Sequence, residues 1–232
     1  MTFSAIPRDA IFHPSPNFGP RRRGAIPDLI VLHYTGMEDA ESALNRLCDS
    51  AAEVSAHYMI CEDGGILQLV DEKMRAWHAG AGKWGEVEDV NSLSFGIELA
   101  NTGFHPFPEP QMSSLETLLE YLMSRWKVPP ERVIAHSDMA PSRKFDPGPR
   151  FDWLRLSRRG LSVWPVRRDA KSGFMTLARA FGYTADVGES DILAAFRLRF
   201  RPWAHGPAEL EDMELLADLA ARFPVDGSNI KS

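Results

Sequence analysis

The stretch "DLIVLHYTGMEDAESALNRLCDS" (residues 28–50) changes period at its middle. Residues 28–35 form a near-continuous apolar run rich in β-branched side chains, the pattern of a buried strand, which delivers His33 at its end. From residue 37 onward apolar side chains recur at helical spacing, with Ala40, Leu44 and Leu47 on one side. A buried strand feeding a helix is the unit from which α/β sheets are assembled. Working outward, "SAHYMICEDGGILQLVDE" (55–72) reads as two strands around Glu62-Asp63-Gly64-Gly65, a hairpin signal because glycine accepts the positive φ that tight turns need. "SLSFGIELAN" (92–101) is a further strand, carrying Glu98 among apolar neighbours. "EPQMSSLETLLEYLMSRWKV" (109–128) places Met112, Leu115, Leu118, Leu119, Leu122 and Met123 on one helical face and is stopped by Pro129-Pro130. "RVIAH" (132–136) is a short strand ending on a second histidine. The expectation is an α/β domain over residues 1–165, a mixed central β-sheet flanked by helices, with residues 1–27 as an extended arm lying over it.

Beyond residue 165 the pattern shifts to three short helices, "AKSGFMTLARAFGYTA", "ESDILAAFRLRFRP" and "PAELEDMELLADLAARF", expected as a small C-terminal three-helix domain over 166–232. Within it, "FRLRFR" (196–201) alternates perfectly and taken alone argues for a strand.

Composition narrows the function classes. A chain of 232 residues with 44% hydrophobic and 25% charged side chains is globular and long enough for one substantial domain with a small companion. The net charge of −6 offers no footprint for nucleic acid, despite local basic clusters at Arg21 to Arg23 and between Arg167 and Arg201. No apolar run approaches the roughly 20 residues of a membrane span, and the first residues lack the features of a secretion signal, so a cytoplasmic protein is expected. Cys48 and Cys61 are expected to be reduced thiols.

His33 and His136 each close a predicted strand, and Asp146 follows in the irregular stretch "VIAHSDMAPSRKFDPGPRFDW" (133–153). Two imidazoles and a carboxylate are a set that zinc takes in hydrolases, although two histidines and an aspartate are easily found among seven histidines and 32 acidic residues. The order and separation of "LIVLHYT", "SAHYMICEDGGILQLVDE", "AWHAG", "SFGIELAN" and "VIAHSDMAPSRKFDPGPRFDW" resemble the zinc-dependent N-acetylmuramoyl-L-alanine amidases, which share their fold with the peptidoglycan-recognition proteins. The resemblance covers residues 25 to 155. It implies one zinc ion per chain held by His33, His136 and Asp146, with no ligand position substituted. It further implies Glu98 as general base and Lys144 as the cation that meets the oxyanion. The irregular loop then has a purpose: it bends Asp146 back towards a metal while holding a cation beside it, and prolines fix such a shape at low entropic cost.

Zinc lowers the pKa of water bound to it to about 7, and a partly desolvated Glu98 is suited to take a proton and pass it to the leaving nitrogen. The plainer readings of these residues are a buried salt-bridge partner for Glu98 and a solvated loop lysine for Lys144. The resemblance also puts Trp77 and His78 in a substrate groove, against the alternative of a buried aromatic turn. Tyr58 and Asn101 are candidate substrate-binding residues; His57 is read as a core histidine satisfied by backbone, and Asn101 equally as a turn asparagine. The C-terminal helices resemble small peptidoglycan-binding modules, with Arg197, Arg199 and Arg201 either meeting carboxylates or solvating a helix.

The implied reaction is hydrolysis of the amide between N-acetylmuramic acid, or its 1,6-anhydro form, and L-alanine of the stem peptide. The expected setting is muropeptide recycling, with no nucleic acid partner and no indication of oligomeric state. Alternatives are an amidase on polymeric peptidoglycan, a non-catalytic peptidoglycan-recognition module, and a metallopeptidase acting within the stem, for which the usual H-E-x-x-H helix is absent.

Overall fold

A computed structural model describes residues 10–225. Six strands form one sheet: β1 (Ala10–Phe12), β3 (Leu29–Tyr34), β4 (Tyr58–Ile60), β5 (Ile66–Gln68), β7 (Ser94–Leu99) and β8 (Val133–Ala135), in the order β1-β5-β4-β7-β3-β8. Strands β4, β7, β3 and β8 run parallel, whereas β5 pairs antiparallel with β4 and parallel with β1. The predicted hairpin is the β4–β5 connection, and Gly64 within it has φ +91°. Two further strands, β2 (Phe18–Pro20) and β6 (Met74–Ala76), form a separate antiparallel ribbon.

Helix α1 (Ala40–Cys48) begins where the Asp39 carboxylate accepts from the Ser42 N–H at 2.7 Å, satisfying one of the amides that every helix start leaves free. A single turn, α2 (Val90–Leu93), precedes β7, and α3 (Glu109–Trp126) ends at Lys127 in the left-handed conformation, with Pro129 just beyond. After β8 come α4 (His136–Met139), α5 (Trp153–Arg158) and the three C-terminal helices α6 (Phe174–Phe181), α7 (Glu189–Phe200) and α8 (Leu210–Arg222). Side-chain alternation divides the central strands between two cores. Ile30, Leu32, Phe95, Ile97, Leu99, Val133 and Ala135 bury one face against α3 and α5. Leu29, Val31 and Ile134 turn to the other face, where they share a cluster with Phe174, Phe181, Phe196, Phe200 and Leu216 of the C-terminal helices. The core of residues 166–225 is therefore continuous with that of the sheet, and residues 226–232 of the expected C-terminal domain lie outside the described residues.

One expectation from the sequence is revised, and one conflict within the sequence signals is resolved in favour of the expected helix. Residues 1–9 of the expected arm lie outside the described residues, and residues 10–27 are extended but not merely draped: β1 extends the sheet, β2 pairs with β6, and the buried Arg21 guanidinium donates to the carbonyls of Glu72, Ser92 and Ser94. Local periodicity carries no trace of these pairings because their partners lie about fifty residues or more away. "FRLRFR" lies in a helix and the turn that ends it, not in a strand, and its arginines are neither solvating nor free for a ligand. Along a helix Arg197 and Arg201 share a face, and both meet Asp212 at 2.6 Å, while Arg199 points to the opposite side and meets Asp138 at 2.6 Å. Alternation here records a helix buried on two sides. Cys48 and Cys61 are free thiols, and among the described residues no helix is long and apolar enough to cross a membrane.

The Arg199–Asp138 pair is fully buried. Arg199 also donates to the Val133 carbonyl and Ser162 Oγ, and lies 4.2 Å from the Trp153 ring centroid, while Asp138 accepts from Tyr183 Oη at 2.7 Å. Removing one partner of such a pair strands the other charge out of water, so Arg199→Ala is expected to cost about 3–5 kcal/mol of unfolding free energy. Guanidinium unfolding followed by circular dichroism measures it, and a loss under about 1 kcal/mol would show that the C-terminal helices are not anchored to the sheet through this pair.

Candidate active site

Register brings the candidate residues together. In the parallel β3–β7 pair His33 lies opposite Glu98, and in the β3–β8 pair Leu32 lies opposite Ala135, so His136, the next residue, emerges beside His33. All three leave the carboxyl ends of parallel strands, where open α/β sheets place their ligands. The loop after α4 folds back so that the Asp146 carbonyl accepts from the Ser137 N–H at 3.1 Å, which seats the aspartate beside the second histidine.

His33 Nδ1, His136 Nδ1 and Asp146 Oδ2 lie 2.9, 2.9 and 3.0 Å from one another, and all three residues are buried. Each imidazole reaches a partner through its other nitrogen. His136 Nε2–H donates to the Ala79 carbonyl at 3.0 Å, which leaves Nδ1 as a lone pair facing the centre. His33 Nε2 lies 3.1 Å from His78 Nδ1. Burial, reinforced by the proximity of His136, pulls the His33 pKa down to about 4. Burial opposes ionisation of Asp146, but the His136 and His33 rings packed against it outweigh burial and hold the carboxyl well below the usual range. Neutral imidazole beside ionised carboxylate at neutral pH is the protonation state a metal requires, and two nitrogens with one oxygen are a set suited to zinc.

The triad opens onto a cleft of about 660 Å³ whose walls include Tyr34, Arg46, Trp77, Glu98, Arg143, Lys144 and Phe145. Glu98 Oε2 is buried without a hydrogen-bond partner among the described residues. Burial first, and the negative charge of Asp146 second, push the Glu98 pKa well above the ordinary carboxylate value, with Lys144 opposing. The neighbours Phe95, Ile97 and Leu99, expected to desolvate Glu98, point to the opposite face of the sheet. The carboxyl is instead enclosed on its own face, where Met59 is its register partner on β4. Lys144 is half-buried on the cleft wall.

Of the other candidates, Trp77 is half-buried and lines the cleft. His78 lines it too, but both its ring nitrogens already face protein partners, His33 and Ser94 Oγ. Tyr58 does not reach the cleft: it is wholly buried in the opposite core and its hydroxyl donates to Glu72 at 2.7 Å, because β4 alternation sends it away from Glu98. Asn101 is likewise withdrawn, its Oδ1 accepting from the Gly103 N–H at 2.7 Å and its Nδ2 donating towards His105, the geometry of a turn asparagine. His57 is a core histidine whose Nδ1 accepts from the Gly96 N–H and whose Nε2–H donates to the Met74 carbonyl. The sequence reading missed Arg143, which donates to the carbonyls of Ala79 and Ala81 at the cleft wall, and also Ser94 and Asn91 behind it. Only the position of Arg143 beside Lys144 could have drawn attention to it.

Comparison with known proteins places the chain among relatives of similar sequence and fold. Residues 22–149 match the family described as N-acetylmuramoyl-L-alanine amidase. The N-acetylmuramoyl-L-alanine amidase AmiD of Escherichia coli K12 is 32% identical over 235 residues, covering 85% of this chain and 84% of that protein. The 1,6-anhydro-N-acetylmuramyl-L-alanine amidase AmpD of Enterobacter cloacae is 32% identical over 165 residues, covering 64% of this chain and 88% of that protein. Among solved structures, the complex of E. coli AmiD with anhydro-N-acetylmuramic acid-L-Ala-D-gamma-Glu-L-Lys superimposes with a TM-score of 0.77 at 29% identity, over 91% of this chain and 93% of that one. AMPDH3 from Pseudomonas aeruginosa gives 0.78 at 28% identity, over 87% and 94%. With sequence and fold in agreement, the chain belongs to the N-acetylmuramoyl-L-alanine amidase family.

Proposed function

We propose that this amidase is zinc-dependent, that His33, His136 and Asp146 hold the ion, and that its substrate is a 1,6-anhydromuramyl peptide of the kind released during wall recycling. The observation that carries the metal is the convergence of two Nδ1 atoms and Oδ2 within 3.0 Å, an arrangement of electron pairs that is unfavourable out of water without a cation between them. The anhydro sugar is supported by relatives named for that substrate or solved with it. When bound, zinc supplies a Lewis acid that polarises the scissile carbonyl and acidifies water.

The chain's own residues supply the rest. Water adds to the lactyl carbonyl carbon, and the carbon–nitrogen bond to L-alanine breaks. Glu98, with one oxygen unpartnered, accepts the proton of the attacking water and returns it to the departing nitrogen, so the products are a lactyl carboxyl and a stem peptide with a free alanine amine. Lys144 places its ammonium beside the oxygen that becomes negative. The half-buried Trp77 offers an apolar wall to the sugar or the lactyl methyl. Arg46, Arg143 and Lys144 give the rim a positive field suited to the stem's carboxylates.

Mass analysis of products from a soluble anhydromuropeptide tests the reaction: an intact stem beginning with free L-alanine is expected, and cleavage within the stem would replace this reading with a peptidase. Chelation should abolish turnover and zinc restore it; undiminished turnover in metal-free protein would overturn the metal assignment. Glu98→Gln is expected to keep zinc while kcat falls by about 10²–10⁴. The same change should stabilise the metal-free protein, since it replaces an unpartnered carboxyl whose pKa burial raises. Below the ordinary carboxylate range both folded and unfolded states hold the proton; above it only the unfolded state ionises freely. The gain in Tm should therefore be larger at pH 7 than at pH 4. Lys144→Ala should lower kcat about a hundredfold with a smaller rise in KM, and a pure KM effect would assign the lysine to substrate binding alone.

A further inference from the structure

Both imidazoles of the triad are held from behind by one turn of chain, residues 78 and 79. His136 Nε2–H donates to the Ala79 carbonyl at 3.0 Å, and His33 Nε2 meets His78 Nδ1 at 3.1 Å with the two rings edge-on, 79° apart. The turn itself is fixed by Asn91, whose Oδ1 accepts from the N–H groups of both His78 and Ala79 at 3.0 and 2.9 Å. The far side of the His78 ring is closed by Ser94, whose Oγ lies 3.1 Å from Nε2 and donates its own proton to the Val90 carbonyl at 2.5 Å. That last bond sets the polarity of the series. With its proton committed to Val90, Ser94 Oγ can only accept, so His78 carries hydrogen on Nε2. Its Nδ1 must then accept, and His33 carries hydrogen on Nε2, which leaves His33 Nδ1 with a lone pair facing Asp146.

We propose that the 78–79 turn, backed by Asn91 and Ser94, is the orienting frame of the metal centre, and that His78 is a positioning residue for His33 rather than a substrate contact. The inference rests on the zinc reading above and extends it to residues that touch neither metal nor substrate. The packing supports it independently. His78 lies flat against β7 at Gly96, and a Cβ there would fall 2.3 Å from His78 Cγ. The glycine two residues before Glu98 thus serves the histidine frame: any side chain at 96 would push the ring off its line to His33.

Outer partners of metal-bound histidines typically contribute about 10- to 100-fold in metal affinity. His78→Phe keeps an aromatic ring and removes the acceptor, so zinc affinity, measured by competition with a chromophoric chelator, should fall by about that factor. His78→Asn restores an acceptor oxygen near the position of Nδ1 and should recover most of the loss, which a purely steric role would not produce. Ser94→Ala frees the His78 tautomer and should weaken zinc several-fold. Full zinc affinity in His78→Phe, or, if that variant does not fold, in Ser94→Ala, overturns the proposal. Wild-type protein that binds no zinc in the same assay would instead overturn the metal reading, so the two failures are distinct.

Discussion

Three atoms with lone pairs and no hydrogen between them, packed out of water, are the constraint around which this molecule is organised. His33 Nδ1, His136 Nδ1 and Asp146 Oδ2 cannot all be satisfied by one another: a carboxylate oxygen only accepts, and neither imidazole can donate from Nδ1 while its Nε2–H is already committed elsewhere. Left alone, such a cluster would relax apart or take up protons. Burial blocks protonation of His33, and the short loop from His136 to Asp146, stitched by Ser137 N–H to the Asp146 carbonyl, blocks separation. The fold thus presents a group suited to the cation proposed for it.

Holding that cluster requires rigidity on every side, and the source of rigidity differs for each of its residues. His33 sits inside the longest strand pairing of the sheet, six residues in register with β7, where a slip of one residue would send its side chain to the opposite core. His136 has only a one-turn helix beneath it. That turn is capped by Asp138, which accepts from the Ala135 N–H at 2.9 Å, and Asp138 is held in turn by Arg199 and Tyr183 from the C-terminal segment. The C-terminal helices therefore belong to the catalytic architecture through packing, whatever else they meet. A buried arginine, expensive by itself, is tolerated because it satisfies a carboxylate, a backbone carbonyl and a serine hydroxyl at the junction of three elements.

Much of this was legible in the sequence where the signal is local. The apolar run 28–35, the helix stopped by Pro129, and the Asp-Gly-Gly hairpin each follow from side chains within one element, and β3, α3 and the β4–β5 turn fall where those signals place them. What could not be read is what depends on partners far along the chain. β1 and β2 lie in a proline-rich arm with no period of its own. The alternation of Arg197, Arg199 and Arg201 mimics a strand because a helix sandwiched between Asp212 and Asp138 needs charge on two opposite faces. Tyr58 and Glu98 went astray for a shared reason: a strand residue's sequence neighbours occupy the other face, so adjacency to Ile97 says little about the surroundings of Glu98, and adjacency to His57 says little about those of Tyr58. The triad was found through resemblance and not through spacing, since residues 33, 136 and 146 become neighbours only once β3 pairs with β8.

The charge distribution follows the same division between global and local. With a net charge of −6, the chain as a whole repels an anionic substrate. The cleft reverses this: Arg46 comes from the last turn of α1, whereas Arg143 and Lys144 come from the loop that carries Asp146. At separations beyond about 10 Å salt screens the unfavourable total, whereas within the cleft the local cations act across a short, poorly screened distance. Two of those three cations ride on the segment that delivers Asp146, so the positive lining of the cleft and the closure of the His33–His136–Asp146 group depend on one folded loop. Changes that loosen that loop would weaken both together, which is why its hydrogen bonds to α4 and to the 79–81 backbone matter more than its surface position suggests.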